Sequence, residues 1–274
     1  MISLTGAEIL PFILPNVKNS LVSFGIVIGI GLAAATVQAG PSMRPAMIGS
    51  GSNSFASQLH YPEKAKSARK QAAVTFYTEI GADGRASHFE VLSAKENGQF
   101  SDMVDHALRK ALFQPAMVEG KPVPVMLGGT VIFMFQGNQP AIVVSLSTAD
   151  KEKTASLGNY IQPQMIGGSA ELRRRIFQHR FDNIFFRPGP KPGADVLAHV
   201  DAEGNLTGTK ILAESPPDGG YGPLLVKGFQ SAKFIPALNN GAPVAGDFNL
   251  PMDFRYLKNP DAGPDVGSQI KDDR

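Results

Sequence analysis

The sequence predicts an α+β protein made of two repeated small domains. Each is a mostly antiparallel three-stranded sheet with two helices packed on one face, in the order strand, turn, strand, helix, strand. Three observations predict this. A pattern running from Phe100 to Phe135 returns 121 residues later: Tyr221, Leu225, Phe229, Phe234, Pro236, Gly241 and Phe254 stand where Phe100, Val104, Leu108, Phe113, Pro115, Gly120 and Phe133 stood. A fixed offset over that many positions marks an internal repeat. Val74, Phe76 and Ile80 alternate with polar or half-polar residues, as do Val196, Ala198 and Val200, which is the period of a strand. Phe100, Met103, Val104, Ala107, Leu108, Ala111 and Leu112 recur at helical spacing and form one apolar stripe.

Composition sets the outer bounds. The chain has 274 residues, 43% of them hydrophobic and 18% charged, which is enough for two modest cores. Its 26 basic and 24 acidic residues nearly cancel, so nothing points to a nucleic-acid partner. There is no cysteine, which excludes disulfides, thiolate metal sites, a cysteine nucleophile and a lipidated cysteine.

Residues 1–39 read as a signal peptide. Lys18 precedes an apolar run from Leu21 to Ala35, and Val37-Gln38-Ala39 offers small residues where a signal peptidase cuts. The run is short against the ~20 residues of a membrane-spanning helix, and the alternative is a retained anchor. Residues 40–58 are rich in Gly and Ser and read as a flexible tether.

The first domain is expected over 59–136. Pro62 opens a short basic helix, and Ala82-Asp83-Gly84 is a tight turn between two strands. The striped helix follows, with Ser101 as its cap, Asp102 and Asp105 early, and Arg109 and Lys110 late, as its dipole prefers. Pro115 ends it. A long strand runs from Val123 to Phe135, with Gly128-Gly129 expected as a bulge. Residues 137–159 form a connector in which Ile142 to Leu146 has strand character. The second domain, 160–257, repeats the plan with a basic helix at Arg173-Arg174-Arg175, the turn Ala202-Glu203-Gly204 and a last strand from Val244 to Tyr256. Pro251 cannot donate to a ladder, so that strand is expected at an edge or broken. Residues 258–274 read as a disordered tail. With a stripe, a turn and strands of its own, each half is expected to fold independently.

Tyr61-Pro62-Glu63-Lys64-Ala65, Ala82-Asp83-Gly84-Arg85, Phe113-Gln114-Pro115-Ala116, Gly120-Lys121-Pro122-Val123 and Met165-Ile166-Gly167-Gly168 occur in this order. Together they resemble the carboxyl-terminal domain of TonB-type energy transducers, closely over 59–135 and more loosely over 163–256. The second copy lacks the Tyr-Pro pair and has Ala242 in place of Lys121. The resemblance implies a periplasmic domain of Gram-negative bacteria that grips an extended peptide of an outer-membrane receptor. Three features depart from the family plan: the amino-terminal run has no His, no Pro-rich spacer follows it, and the domain occurs twice.

Catalytic patterns are missing from the sequence. The five histidines have no HExxH spacing, and there is no nucleophile elbow and no phosphate loop. The expectation is a non-enzymatic protein without cofactor or metal, placed in the periplasm or, with a retained leader, on the inner membrane facing it. Its partner would be an outer-membrane receptor or another periplasmic protein, with self-association as a further option. Two alternatives are a scaffold whose two domains pack on each other and an enzyme assembled between them. The expected binding residues are Thr130, Val131, Ile132, Phe133, Met134 and Phe135, a long apolar strand whose free edge would accept a peptide.

Overall fold

The computed structural model of the protein describes residues 42–92, 97–148, 160–177 and 191–254. The leader, residues 93–96, the connector from 149 to 159, residues 178–190 and the whole tail from 255 lie outside the described residues.

The strands are β1 (Met43–Arg44), β2 (Ala72–Ile80), β3 (Ala86–Leu92), β4 (Ala116–Val118), β5 (Lys121–Val123), β6 (Val125–Gln136), β7 (Gln139–Ser145), β8 (Tyr160–Ile161), β9 (Gln164–Ile166), β10 (Gly193–Val200), β11 (Leu206–Ser215), β12 (Phe234–Ile235), β13 (Ala237–Asn239), β14 (Ala242–Val244) and β15 (Gly246–Asp253). The helices are α1 (Phe55–Gln58), α2 (Glu63–Ser67), α3 (Gly98–Lys110), α4 (Gly168–Phe177) and α5 (Tyr221–Gln230). The class is α+β and the pairing antiparallel throughout.

The main sheet is larger than the three strands expected. It has six, in the order β12-β9-β6-β2-β3, with β7 also paired to β6. Two of them, β9 and β12, come from the second half of the chain. They enter because Val125 and Met126 of β6 pair with Ile166 and Met165 of β9, and the Gly167 N–H donates to the Pro124 carbonyl at 2.9 Å. The second half keeps a three-stranded sheet, β11-β10-β15. In it β15 is an edge strand, which suits Pro251.

The recurring sequence pattern has matching local geometry. Gly84 and Gly204 both have positive φ, and an added Cβ at either would strike the carbonyl of Phe113 or Phe234, at 2.3 and 2.1 Å. The N–H groups of those phenylalanines donate to the Gly84 and Gly204 carbonyls. Each hairpin, β4–β5 and β13–β14, turns on two positive-φ residues: Glu119-Gly120 in one, Asn240-Gly241 in the other. Such turns match the right-handed twist of the strands.

Two apolar clusters lie under the sheets. The first gathers Phe76, Phe100, Val104, Leu108, Phe113 and Phe133; the second gathers Leu172, Val196, Leu225, Phe229, Phe234 and Phe248. They exchange members: Ile235 belongs to the first cluster, and Tyr77 and Met126 to the second.

Four local expectations are corrected. Residues 42–58 are not a loose tether, because Ala46 and Phe55 are fully buried and the Phe55 ring stacks on Phe113 at 5.4 Å. Gly128-Gly129 is no bulge, since β2 and β6 stay in register from Ala72↔Phe133 to Ile80↔Val125. The glycines instead make room for Phe76 and Tyr77, which lie directly opposite them. Helix α3 begins at Gly98 behind Asn97, so Ser101 is inside it. Leu112 stays 45% exposed because α3 stops at Lys110 and the chain is already extended there.

Candidate binding edge and groove

The expected binding strand Thr130–Phe135 does not present an open edge. On one side Thr130 to Phe133 pair with Thr75 to Ala72 of β2. On the other, all six residues pair with β7, from Thr130↔Ser145 to Phe135↔Pro140. The reason lies in the connector: Gly137-Asn138 is a two-residue turn, and Gly137 has positive φ, so the chain folds straight back onto β6. Val131 and Phe133 are fully buried, and the Phe133 ring packs against Tyr61 and Phe100 at 5.6 and 4.8 Å. Arg69 lies over the Phe135 ring at 4.6 Å and donates to the Gly137 carbonyl, which pins the hairpin.

The open edge passes to β7, which pairs only with β6 among the described residues. In a two-residue hairpin the closing pair, here Gln136↔Gln139, is hydrogen bonded. Alternation along the ladder then turns the backbone groups of Pro140, Ile142 and Val144 outward. A proline in the first of these places loses no ladder bond. The Phe135 N–H fits the same alternation, because it donates away from β7, to Gln71 at 3.1 Å.

The far end of β7 opens into a cavity of about 580 Å³. Met47, Ile48, Val144, Ile161 and Leu238 make its apolar walls, and among the described residues Arg44 is the one charged side chain that lines it. The volume falls in the range of pockets that hold small ligands or anchor side chains. Sequence reading missed this wall because the Gly and Ser content of 40–58 hid it. The signal was there: Pro45-Ala-Met-Ile-Gly49 returns as Pro163-Gln-Met-Ile-Gly167.

A second, smaller hollow of about 240 Å³ lies where the two halves meet. Glu90, Asp195, Glu214 and Asp253 line it, with Lys191. Burial pushes the Glu90 carboxyl above its usual range, and the charges of Asp253 and Asp195 push it further. Burial likewise raises Asp195, against a hydrogen bond from Asn249. The buried Tyr77 phenol is held well above its ordinary value, chiefly by desolvation.

Among the described residues, no histidine belongs to a cluster that could hold a metal ion. His60 and His106 are exposed on separate elements, and His199 pairs with Asp247 across β10 and β15 at 2.7 Å. His179 lies outside the described residues.

No curated protein matches the chain. Residues 57–135 match the family model described as Gram-negative bacterial TonB protein C-terminal, and this part of the chain is a TonB carboxyl-terminal-like domain.

Proposed function

We propose that the protein is a non-enzymatic binding module on the periplasmic side of the Gram-negative envelope. It binds an extended peptide of an outer-membrane receptor, or of another periplasmic protein, by sheet-edge pairing, in connection with TonB-dependent transport. The family match over 57–135 supports the kind of protein and the kind of partner. The edge it offers is β7 rather than β6, and the carrying observation is that β7 pairs on one side alone among the described residues. Backbone groups at Ile142 and Val144 supply the ladder, and side chains of the peptide reach the cavity beyond Val144.

The test is capture of the partner by photocrosslinking in living cells, followed by its identification. Ile142→Pro removes an outward donor without removing a β6–β7 bond, so capture is expected to fall strongly while circular dichroism stays native. Lys110→Ala, at the exposed end of α3, is expected to leave capture unchanged. Undiminished capture by folded Ile142→Pro would refute pairing at this edge.

A second reading has one observation behind it. The chain fills the β6 edge with its own β7 and β9, as a scaffold would whose two halves pack together without transducing energy. Loss of the partner without any change in uptake across the outer membrane would favour it.

A further inference from the structure

The open edge of β7 runs out at a definite place. Outward backbone groups alternate along the strand, at Ile142, at Val144 and next at Leu146. The Leu146 carbonyl already accepts from the Gln162 N–H, at 3.0 Å. The chain thus closes its own edge one step beyond Val144, and a strand laid along β7 finds its last outward partner there. Side chains of directly opposed residues share a face of the sheet. Val144 stands opposite Val131, which is fully buried in the first cluster, and it lines the cavity of about 580 Å³. A peptide residue paired with Val144 therefore points its side chain to the face on which the cavity opens. Its two immediate neighbours in the peptide point to the other face.

The lining sets the chemistry of what enters. Its walls are apolar, and Met47 is left 36% exposed there. Arg44 stands at the same cavity, exposed, with no hydrogen bond or ion pair among the described residues. No described acid lines the cavity. An apolar recess beside an uncompensated cation is complementary to an apolar side chain beside a carboxylate. The open backbone edge that leads into it favours an extended chain over a small anion or a lipid. Both β7 and, Gln114 excepted, the described residues lining the cavity lie outside the span 57–135 matched by the family model. What they select is therefore set by the parts this chain adds to that domain.

We propose that the β7 edge and this cavity together read a short sequence: an extended peptide with Leu, Met or Phe opposite Val144, and an Asp or Glu close by in the peptide that pairs with Arg44. The proposal rests on β7 being the peptide-binding edge and adds which peptides that edge accepts. Backbone pairing at Ile142 and Val144 supplies affinity without regard to sequence, while the anchor and the acid supply choice. The pair with Arg44 lies at an exposed rim, so it contributes less than the buried anchor.

The test is selection of a phage library of short random peptides on the full chain, followed by titration of the enriched peptides against purified variants. The enriched peptides are expected to share a Leu, Met or Phe with an Asp or Glu within a few residues of it. Changing that apolar residue to Ala should weaken binding at least about tenfold. Arg44→Glu should weaken the acidic peptides severalfold and bind their Lys-substituted versions better than the wild type does, which a folding defect would not produce. Ile142→Pro separates this inference from the reading beneath it. Enriched peptides that bind Ile142→Pro as well as wild type refute the β7 edge, and the inference falls with it. Peptides that need Ile142 but share neither anchor nor acid leave the edge standing and overturn the inference alone. A library that yields no binder overturns it too, and dimerisation of the chain that Arg44→Glu abolishes assigns the cavity to a second copy instead.

Discussion

The side chain of Gln164 stands in for a strand beside Ala46. Its Oε1 accepts from the Ala46 N–H at 2.7 Å and its Nε2 donates to the Ala46 carbonyl at 2.9 Å, with both residues fully buried. The amide closes a two-bond ring of the kind an antiparallel neighbour would make. Ala46 and Gln164 hold the same place in the recurring Pro-x-Met-Ile-Gly segment, so the later segment satisfies the backbone of the earlier one. Gln164→Leu keeps the volume and leaves two buried backbone groups unpaired. A loss of about 2–6 kcal/mol in urea unfolding is expected, from the usual cost of about 1–3 kcal/mol for each of the two unsatisfied groups.

Gly129 admits no side chain. An added Cβ would lie 2.5 Å from the Phe76 ring and 2.7 Å from the Ser145 carbonyl. Gly129→Ala is expected to cost at least about 1–3 kcal/mol, the range for overpacking. Gly120→Ala, where an added Cβ meets nothing within 4 Å, tests the difference. It should cost only the strain of positive φ, about 1–2 kcal/mol. Parallel chemical denaturation of the two variants checks the order.

Phe113 and Phe234 are equivalents in the two cores, 2% and 0% exposed. Each follows its long helix and reaches back to the glycine of its hairpin turn. Replacement of either by Ala is expected to cost about 3–5 kcal/mol. Losses below about 1 kcal/mol at both positions, measured by thermal or urea unfolding, would contradict their place in the packing.

The start of α4 carries an acid whose contribution to stability depends on pH. Hydrogen bonding from Arg174, helped by the charge of Arg175, holds the Glu171 carboxyl below its ordinary value. A depressed carboxyl contributes stability above its ordinary pKa and loses it as pH falls through the depressed one. Glu171→Gln should therefore narrow the gap in melting temperature to wild type as the pH is lowered below the carboxylate range. A constant gap between neutral and strongly acid solution would show that the clamp contributes nothing.

Sequence patterns carried the local structure well and the pairing between distant segments poorly. The alternation at Val74 to Ile80, the stripe in α3 and the turns at Gly84 and Gly204 are short-range facts, set by periodicity and by backbone sterics. The strand Ile142–Leu146 was visible as an apolar run, but its return onto β6 rests on a two-residue turn that the sequence carries as Gly137-Asn138 rather than the usual Asn-Gly order. The insertion of β9 beside β6 has no periodic signature at all, because two residues on each side make the contact. The order of 42–58 was hidden by composition: its Gly and Ser residues are plain, while Ala46 and Phe55 do the packing. The displaced candidate site follows directly, since an edge is open or filled according to pairings that no single segment encodes.

The β6–β9 pairing also constrains how the chain is made. During synthesis, residues up to Ser145 emerge first and can form β2, β3, α3 and the β6–β7 hairpin. Val125 and Met126 then wait for Met165 and Ile166, and Ala46 waits for Gln164. Until those residues follow, the early half presents a short unpaired strand edge and two backbone groups without their partners, the features that draw incomplete chains into aggregation or into the grip of a chaperone. A chain cut short before Gln164 would carry that exposure permanently, although the whole match to the known family, residues 57–135, would be present in it.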